Sequence, residues 1–118
     1  MLNLDAARAD VLVQQVTNPW MRQFLKLDLP AYLNKITAPV LALAGSIDRQ
    51  VAPDENLAAL KAGLSHSRDL TLKKLDGLNH FFQHANTGAF TEVEQIPETF
   101  SPDALQAITQ WLSPRVSH

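Results

Sequence analysis

The 118-residue sequence contains no cysteine, which excludes disulfide bonds and thiolate chemistry. It also lacks a basic excess, with 10 Lys and Arg against 12 Asp and Glu and a net charge of −2. A general surface for nucleic acid or for an anionic membrane needs such an excess. We therefore expect neither nucleic acid nor a membrane as a partner.

Long apolar runs are absent as well. No stretch approaches the ~20 apolar residues that span a bilayer. The first residues, Met-Leu-Asn-Leu-Asp, lack the basic and then apolar pattern of a signal peptide. We therefore expect a soluble chain, with the cytoplasm as its default location. With 46% hydrophobic and 19% charged residues, the composition is that of a folded domain that buries a core.

The central part of the sequence predicts a strand, a helix and a second strand. Residues 40–44, Val-Leu-Ala-Leu-Ala, form a continuous apolar run between Pro39 and Gly45, which is typical of a strand buried in a parallel sheet. A helix is predicted over about 54–64, where leucines recur at helical spacing. Residues 69–75 alternate as in a strand with one wetter face. These elements predict an α/β fold with one βαβ unit, two parallel strands and a right-handed crossover.

Further helices are predicted on both sides of this unit. Apolar stripes indicate helices over residues 3–16 and 19–27, and Asn18 is a good N-cap for the second. The 19–27 helix is apolar on more than one side, so we expect it to be buried, either in core packing or as a cap lining an acyl or alkyl pocket. A last helix is predicted over 101–112 and should stop at Pro114. We expect residues 90–99 to be irregular.

A side chain able to act as an acid or a base follows each predicted strand. Asp48 comes after Gly45, and His80 comes after Gly77 in Asp-Gly-Leu-Asn-His. Alone, Asp48 is typical of a turn and His80 of a solvated loop. Because the carboxyl ends of parallel strands share one edge of a sheet, we expect Asp48 and His80 to lie at the same edge. Together they suggest the acid and the base of a Ser-His-Asp arrangement.

Metal binding has weak support in the sequence. His80 and His84 are four residues apart, but no third ligand has convincing spacing. We therefore expect no metal and no cofactor. His66 and His118 are expected to lie on the surface.

Three stretches carry a family resemblance. Residues 36–45, Ile-Thr-Ala-Pro-Val-Leu-Ala-Leu-Ala-Gly, followed by Asp48 and by Val-Ala-Pro at 51–53, resemble the acid-bearing strand of the α/β-hydrolase superfamily. Residues 77–83, Gly-Leu-Asn-His-Phe-Phe-Gln, resemble its histidine loop, and residues 101–112 resemble its closing helix. The ordered set is similar to that of dienelactone-hydrolase-like and serine-aminopeptidase-like proteins.

This resemblance implies a partial α/β-hydrolase fold. It covers about residues 36–112, and residues 1–35 resemble the end of the helical cap inserted in such proteins. The implied organisation is a helical cap-like segment at 1–35 and a C-terminal hydrolase portion at 36–118. In a complete enzyme of this family, His80 would take the proton from a serine and Asp48 would orient the imidazole. The resemblance therefore implies that Asp48 faces Nδ1 of His80 within or near hydrogen-bond distance.

The serine itself is missing. Family members carry Gly-x-Ser-x-Gly on a nucleophile elbow, whereas the glycines here stand at 45, 63, 77 and 88 and no two are four apart. Two interpretations therefore remain open. The chain is either the C-terminal part of a serine hydrolase of esters or amides, inactive without a missing N-terminal part, or a non-catalytic remnant that acts as an interaction or oligomerisation module.

Assembly is expected in either case. A sheet of two parallel strands has two open edges, and an unpaired strand edge invites pairing with another chain. We therefore expect a homo-oligomer, or a complex with the missing hydrolase part, joined through the strand at 40–44 or through an exchanged N-terminal helix. Trp20, Phe24 and Leu41 or Leu43 should be buried there.

Overall fold

The computed structural model describes residues 6–116 and has a mixed α/β architecture. The chain divides after Pro30 into two compact units, whereas the sequence places the boundary after residue 35. The elements in chain order are α1 (Ala6–Thr17), α2 (Pro19–Leu25), α3 (Leu29–Leu33), β1 (Val40–Gly45), α4 (Pro53–Gly63), β2 (Leu70–Leu75), a 3₁₀ helix (Phe90–Gln95) and α5 (Pro102–Val116).

Helices α1 and α2 make up most of the first unit. The start of the predicted 3–16 helix lies partly outside the described residues, and α1 runs on to Thr17. The predicted cap of α2 is confirmed, because Oδ1 of Asn18 accepts a hydrogen bond from the Met21 N–H at 2.8 Å and Pro19 is the first helical residue. The helix ends at Leu25, two residues before the predicted end.

The expectation that α2 is buried in core packing is wrong for this chain. Trp20 is 69% exposed and Phe24 is 50% exposed. Their rings instead stack on each other, with centroids 5.5 Å apart. The physical reason is size, since two short helices cannot enclose large aromatic side chains.

The βαβ prediction is confirmed in the second unit. Strands β1 and β2 pair in parallel, from Val40 opposite Leu70 to Gly45 opposite Leu75, and α4 connects them. The β1 strand forms because five apolar residues follow Pro39 without interruption. The prediction of one wetter face on β2 is wrong, because the two exposed residues, Lys73 and Lys74, are adjacent and point to opposite faces.

Helices α4 and α5 cover opposite faces of this two-stranded sheet. Nζ of Lys74 bonds Oδ1 of Asp54 on α4 at 2.7 Å, whereas Nε1 of Trp111 on α5 donates to Oγ1 of Thr71 at 3.1 Å. Thr71 and Lys74 are three residues apart on one strand, so their side chains point to opposite faces. Among residues 6–116, the buried hydrophobic side chains are those of Leu64, Leu78, Ala104 and Ala107.

Helix α5 begins as predicted but does not stop at Pro114. Oγ of Ser101, which is fully buried, accepts the Asp103 N–H at 3.0 Å and so caps the helix. The helix continues to Val116 because a proline in the last turn removes only one helical donor. Arg115 stabilises this turn by donating to the Trp111 carbonyl and by lying over the Trp111 ring, 4.2 Å from its centroid.

The segment between β2 and α5 is more ordered than expected. Residues 79–88 form a loop, and a 3₁₀ helix replaces the expected irregular chain at Phe90–Gln95. Glu92 on this helix accepts hydrogen bonds from the backbone N–H groups of Asn86, Thr87 and Gly88. Glu92 also accepts the Thr87 hydroxyl at 2.7 Å. These bonds, led by that of the Asn86 N–H and then that of the Thr87 hydroxyl, lower the pKa of Glu92 from 4.5 to about 2. Across residues 6–116, none of the helices has the length and apolar character of a membrane span.

Candidate active site

Asp48 and His80 come together where the two strands end. Oδ2 of Asp48 lies 2.9 Å from Nδ1 of His80. This confirms the geometric prediction, including the choice of ring nitrogen. The Asp48 side chain is 9% exposed and that of His80 is 37% exposed. With Nδ1 occupied by the carboxylate, Nε2 is the ring atom left to meet another molecule.

The second oxygen of Asp48 is fixed by the backbone. Oδ1 accepts the N–H groups of Gln50 and Val51, each at 2.9 Å, so the carboxylate closes its own turn. Burial acts to raise the pKa of Asp48, but the bonds from Val51, His80 and Gln50 outweigh it and hold the pKa below its ordinary 3.8. Asp48 is therefore an ionised and oriented acceptor at neutral pH.

Gly45 allows the two loops to approach each other. A Cβ on Gly45 would lie 2.2 Å from the carbonyl oxygen of Leu78 and 2.6 Å from that of Asn79. Both atoms belong to the backbone just before His80. Only glycine permits this separation, so the residue that ends β1 also sets the distance between the Asp48 turn and the His80 loop.

Buried amides hold the loop that carries His80. Oδ1 of Asn79 accepts the N–H groups of Phe81 and Gln83, each at 3.0 Å, and its Nδ2 donates to Oε1 of Gln83. The Asn79 carbonyl accepts the Phe82 N–H at 3.1 Å. Phe82 has a φ of 56°, which is uncommon for a residue other than glycine. The hydrogen bonds of this network hold it in that conformation. These roles of Asn79 and Gln83 were not predicted, although two amide side chains four residues apart on either side of His80 are a signal for them.

Two apolar cavities lie beside β1 and the loop that carries His80. One of about 200 Å³ reaches Asp48 and His80 and is otherwise lined mainly by apolar residues of β1 and α4, including Leu43, Leu57 and Leu60. The other, of about 400 Å³, lies over the α5 face, and Ile108 and Leu112 are among its walls. The two cavities share Leu43 and Phe82.

His84 and His66 do not join this pair. His84 lies between Glu98 and Asp103, and His66 is exposed and bonded to Asn34. His118 lies outside the described residues. Within residues 6–116 no group of three or more His, Cys, Asp or Glu side chains is arranged to hold a metal ion.

The site holds an acid and a base, and its neighbouring hydroxyl is engaged elsewhere. Oγ of Ser46 donates to Oδ1 of Asp76 at 3.1 Å and accepts the Gly77 N–H at 2.8 Å. The arrangement can therefore accept and return a proton at Nε2 of His80, while Asp48 stabilises the charged ring. Comparisons with protein-family models, curated proteins and solved structures found no match to this chain.

Proposed function

We propose that this chain supplies the acid and the histidine of an α/β serine hydrolase that cleaves esters or amides. The supporting observation is the contact of Asp48 with Nδ1 of His80 at the carboxyl ends of two paired parallel strands. The residues resembling a hydrolase strand, histidine loop and closing helix correspond to β1, the loop after β2 and α5.

In this proposal His80 is the general base and then the general acid. Its Nε2 takes the proton of a serine hydroxyl as the serine oxygen bonds to the substrate carbonyl carbon, and it then returns that proton to the leaving group. Asp48 keeps the second proton on Nδ1 and stabilises the imidazolium. The serine and the oxyanion donors come from a polypeptide segment that the 118 residues do not contain, so the chain alone has no turnover.

A serine-directed fluorophosphonate probe tests this proposal. The coding region adjoining that of this chain is searched for a segment with Gly-x-Ser-x-Gly, and the segment is expressed with the chain. We expect the probe to label that serine in the complex, and labelling to be lost with His80→Ala and retained with His66→Ala as a matched control. Labelling that survives His80→Ala contradicts the proposal.

A second candidate function is assembly, for which the outer edge of β1 is the specific observation. Within residues 6–116 the sheet has two strands only, so nothing in that part of the chain pairs with the other side of β1. The N–H groups of Val40 and Ser46 donate toward β2. Because alternate residues of a strand point their backbone groups to opposite sides, those of Leu41 and Leu43 face outward.

This edge fits a second copy of the same strand. In an antiparallel pair with Leu41 opposite Leu43 of the second copy, each copy donates two N–H groups and accepts two, and all four outward groups are used. Pro39 has no N–H, and the Gly45 carbonyl already accepts the Asp48 N–H. The edge therefore offers the backbone groups of Leu41 and Leu43 for pairing. In a dimer with its twofold axis at Ala42, both residues are paired. The non-catalytic alternative is a homodimer built on this strand.

A further inference from the structure

The ring of His84 lies between two carboxylates. Its Nδ1 is 3.1 Å from both carboxylate oxygens of Glu98, and its Nε2 is 3.0 Å from Oδ2 of Asp103. An imidazole donates from both nitrogens only when it is protonated. In the neutral ring one nitrogen carries a lone pair, which would face a carboxylate oxygen. The observed arrangement therefore requires the charged form of His84.

His84 also closes the loop on which His80 stands. Leu78 and His84 form an isolated antiparallel bridge. Inside the bridge the Asn79 N–H donates to the Gln83 carbonyl at 3.0 Å, and outside it the Ala85 N–H donates to the Gly77 carbonyl at 3.1 Å. His84, whose ring contacts Glu98 and Asp103, therefore holds the two ends of the 79–83 loop together.

The partners of His84 belong to a segment that contacts this loop directly. The Glu98 carbonyl accepts Nε2 of Gln83 at 2.9 Å, and the Ser101 N–H donates to the Phe82 carbonyl at 2.7 Å. Glu98 and Asp103 lie on either side of Ser101 in the chain. Losing a His84 contact would therefore loosen the segment that fixes both Gln83 and Phe82.

We propose that His84, Glu98 and Asp103 form a protonation-dependent latch that fixes the loop carrying His80. The claim that the latch regulates the candidate active site rests on the proposed function. The claim that the latch is coupled to the His80 loop does not. The latch is closed when His84 is protonated and both carboxylates are ionised. It opens when His84 loses its proton, because the neutral ring donates to one carboxylate only and presents a lone pair to the other.

The pH range of the latch follows from the groups that face His84. These are Glu98, before α5, and Asp103, in its first turn, while Glu92 is bonded to the backbone at 86–88. The hydrogen bond with Glu98, followed by that with Asp103, raises the pKa of His84 above 6.5, and the His84 backbone N–H lowers the pKa of Glu98. The latch is therefore closed below pH 6.5, where the carboxylates are still ionised, and is lost as the pH rises through the raised pKa of His84.

Nuclear magnetic resonance of the full chain tests the coupling without any enzyme assay. Ring-nitrogen shifts report the protonation of His84 and His80 separately, and amide hydrogen exchange, corrected for the intrinsic pH dependence, reports the loop. We expect the protection of the Phe82 and Gln83 amides to fall several-fold with rising pH, at the midpoint measured on the His84 ring. His84→Gln should abolish this step, whereas the control His66→Gln should keep it.

Glu98→Gln gives a second, independent measurement. It removes one charge from beside His84, so the midpoint of both the ring titration and the loop transition should move to lower pH together. Loop protection that follows the His80 titration instead, or that keeps its pH step in His84→Gln, overturns the latch. Neither outcome depends on hydrolysis, so the latch and the proposed hydrolase function fail separately.

Discussion

Oδ2 of Asp48 lies 2.9 Å from Nδ1 of His80, although 32 residues separate them in the sequence. The contact fixes which ring nitrogen carries the proton, because the ionised carboxylate can only accept. Nε2 is then the proton acceptor in the neutral ring. This tautomer is the one that a general base acting on a hydroxyl requires.

The first prediction concerns this tautomer and uses Asp48→Asn. The N–H groups of Gln50 and Val51 require an acceptor at the position of Oδ1, so the amide nitrogen must face His80. Nδ1 of His80 then becomes the acceptor and its proton moves to Nε2. We expect ring-nitrogen shifts to show the tautomer reversed at a pH where the ring is neutral, in a folded protein. An unchanged tautomer would mean that Asp48 does not orient the ring.

The second prediction concerns activity. The isolated chain should hydrolyse p-nitrophenyl esters no faster than its His80→Ala variant, because no serine elbow or oxyanion hole is present in the 118 residues. Initial rates for the two proteins, measured at equal concentration, check this. A turnover that His80→Ala abolishes would reveal a nucleophile other than a serine elbow within these residues.

The third prediction concerns Gly45→Ala. The added Cβ would collide with the backbone carbonyls of Leu78 and Asn79, which cannot move without displacing the His80 loop. We expect the free energy of unfolding to fall by roughly 3 kcal/mol and the Asp48–His80 contact to lengthen. Urea denaturation and the ring-nitrogen shifts of His80 provide the two measurements.

Gly63→Ala is the matched control for that substitution. Its Cβ would meet side-chain atoms of Leu33 rather than backbone, and alanine has the higher helix propensity in α4. We expect a change in stability of less than about 1 kcal/mol. Equal losses in the two variants would show that the close approach at Gly45 has no special role.

The fourth prediction concerns Glu92 and acid. Because the pKa of Glu92 is lowered to about 2, its contribution to stability is complete above 4.5 and is lost as the pH falls through about 2. Glu92→Gln should therefore flatten the decline of the urea midpoint between these two pH values. Glu94→Gln, on the same 3₁₀ helix, should leave the decline unchanged. A decline that persists in Glu92→Gln assigns it to other carboxylates.

The sequence was informative where one strong local cause acts. The apolar run after Pro39 predicts β1, and the two strand ends predict that Asp48 meets His80, because parallel strands leave little choice of where their loops go. Asn18 and Ser101 start helices through their own side chains. These features depend on neighbours along the chain or on the topology of a single βαβ unit.

The sequence was uninformative where distant packing decides. The apolar pattern of α2 predicts burial, but Trp20 and Phe24 remain exposed. The end of α5 depends on contacts of Arg115 with Trp111 and with Asp69 on the neighbouring segment, which no local pattern shows. The role of Asn79 required knowledge that its loop closes on itself. Such features appear only when the tertiary contacts are known.

The last prediction concerns assembly through β1. We expect light scattering at micromolar concentration to give the mass of a dimer, because the outward backbone groups of Leu41 and Leu43 are satisfied by the same strand of a second copy. Leu41→Pro removes the outward N–H without touching the ladder to β2, since proline is tolerated where a strand N–H does not pair within its own sheet. In the dimer this change removes two hydrogen bonds, each worth about 1 kcal/mol.

The dissociation constant of Leu41→Pro should therefore rise about thirtyfold. Leu41→Ala is the matched control, because it shortens the same side chain but keeps the N–H. If both variants weaken the dimer equally, the cavity beside α5 carries the association and the strand edge does not. If the unmodified chain is a stable monomer of 13.1 kDa, the edge of β1 is closed within the chain itself and the proposed strand pairing is wrong.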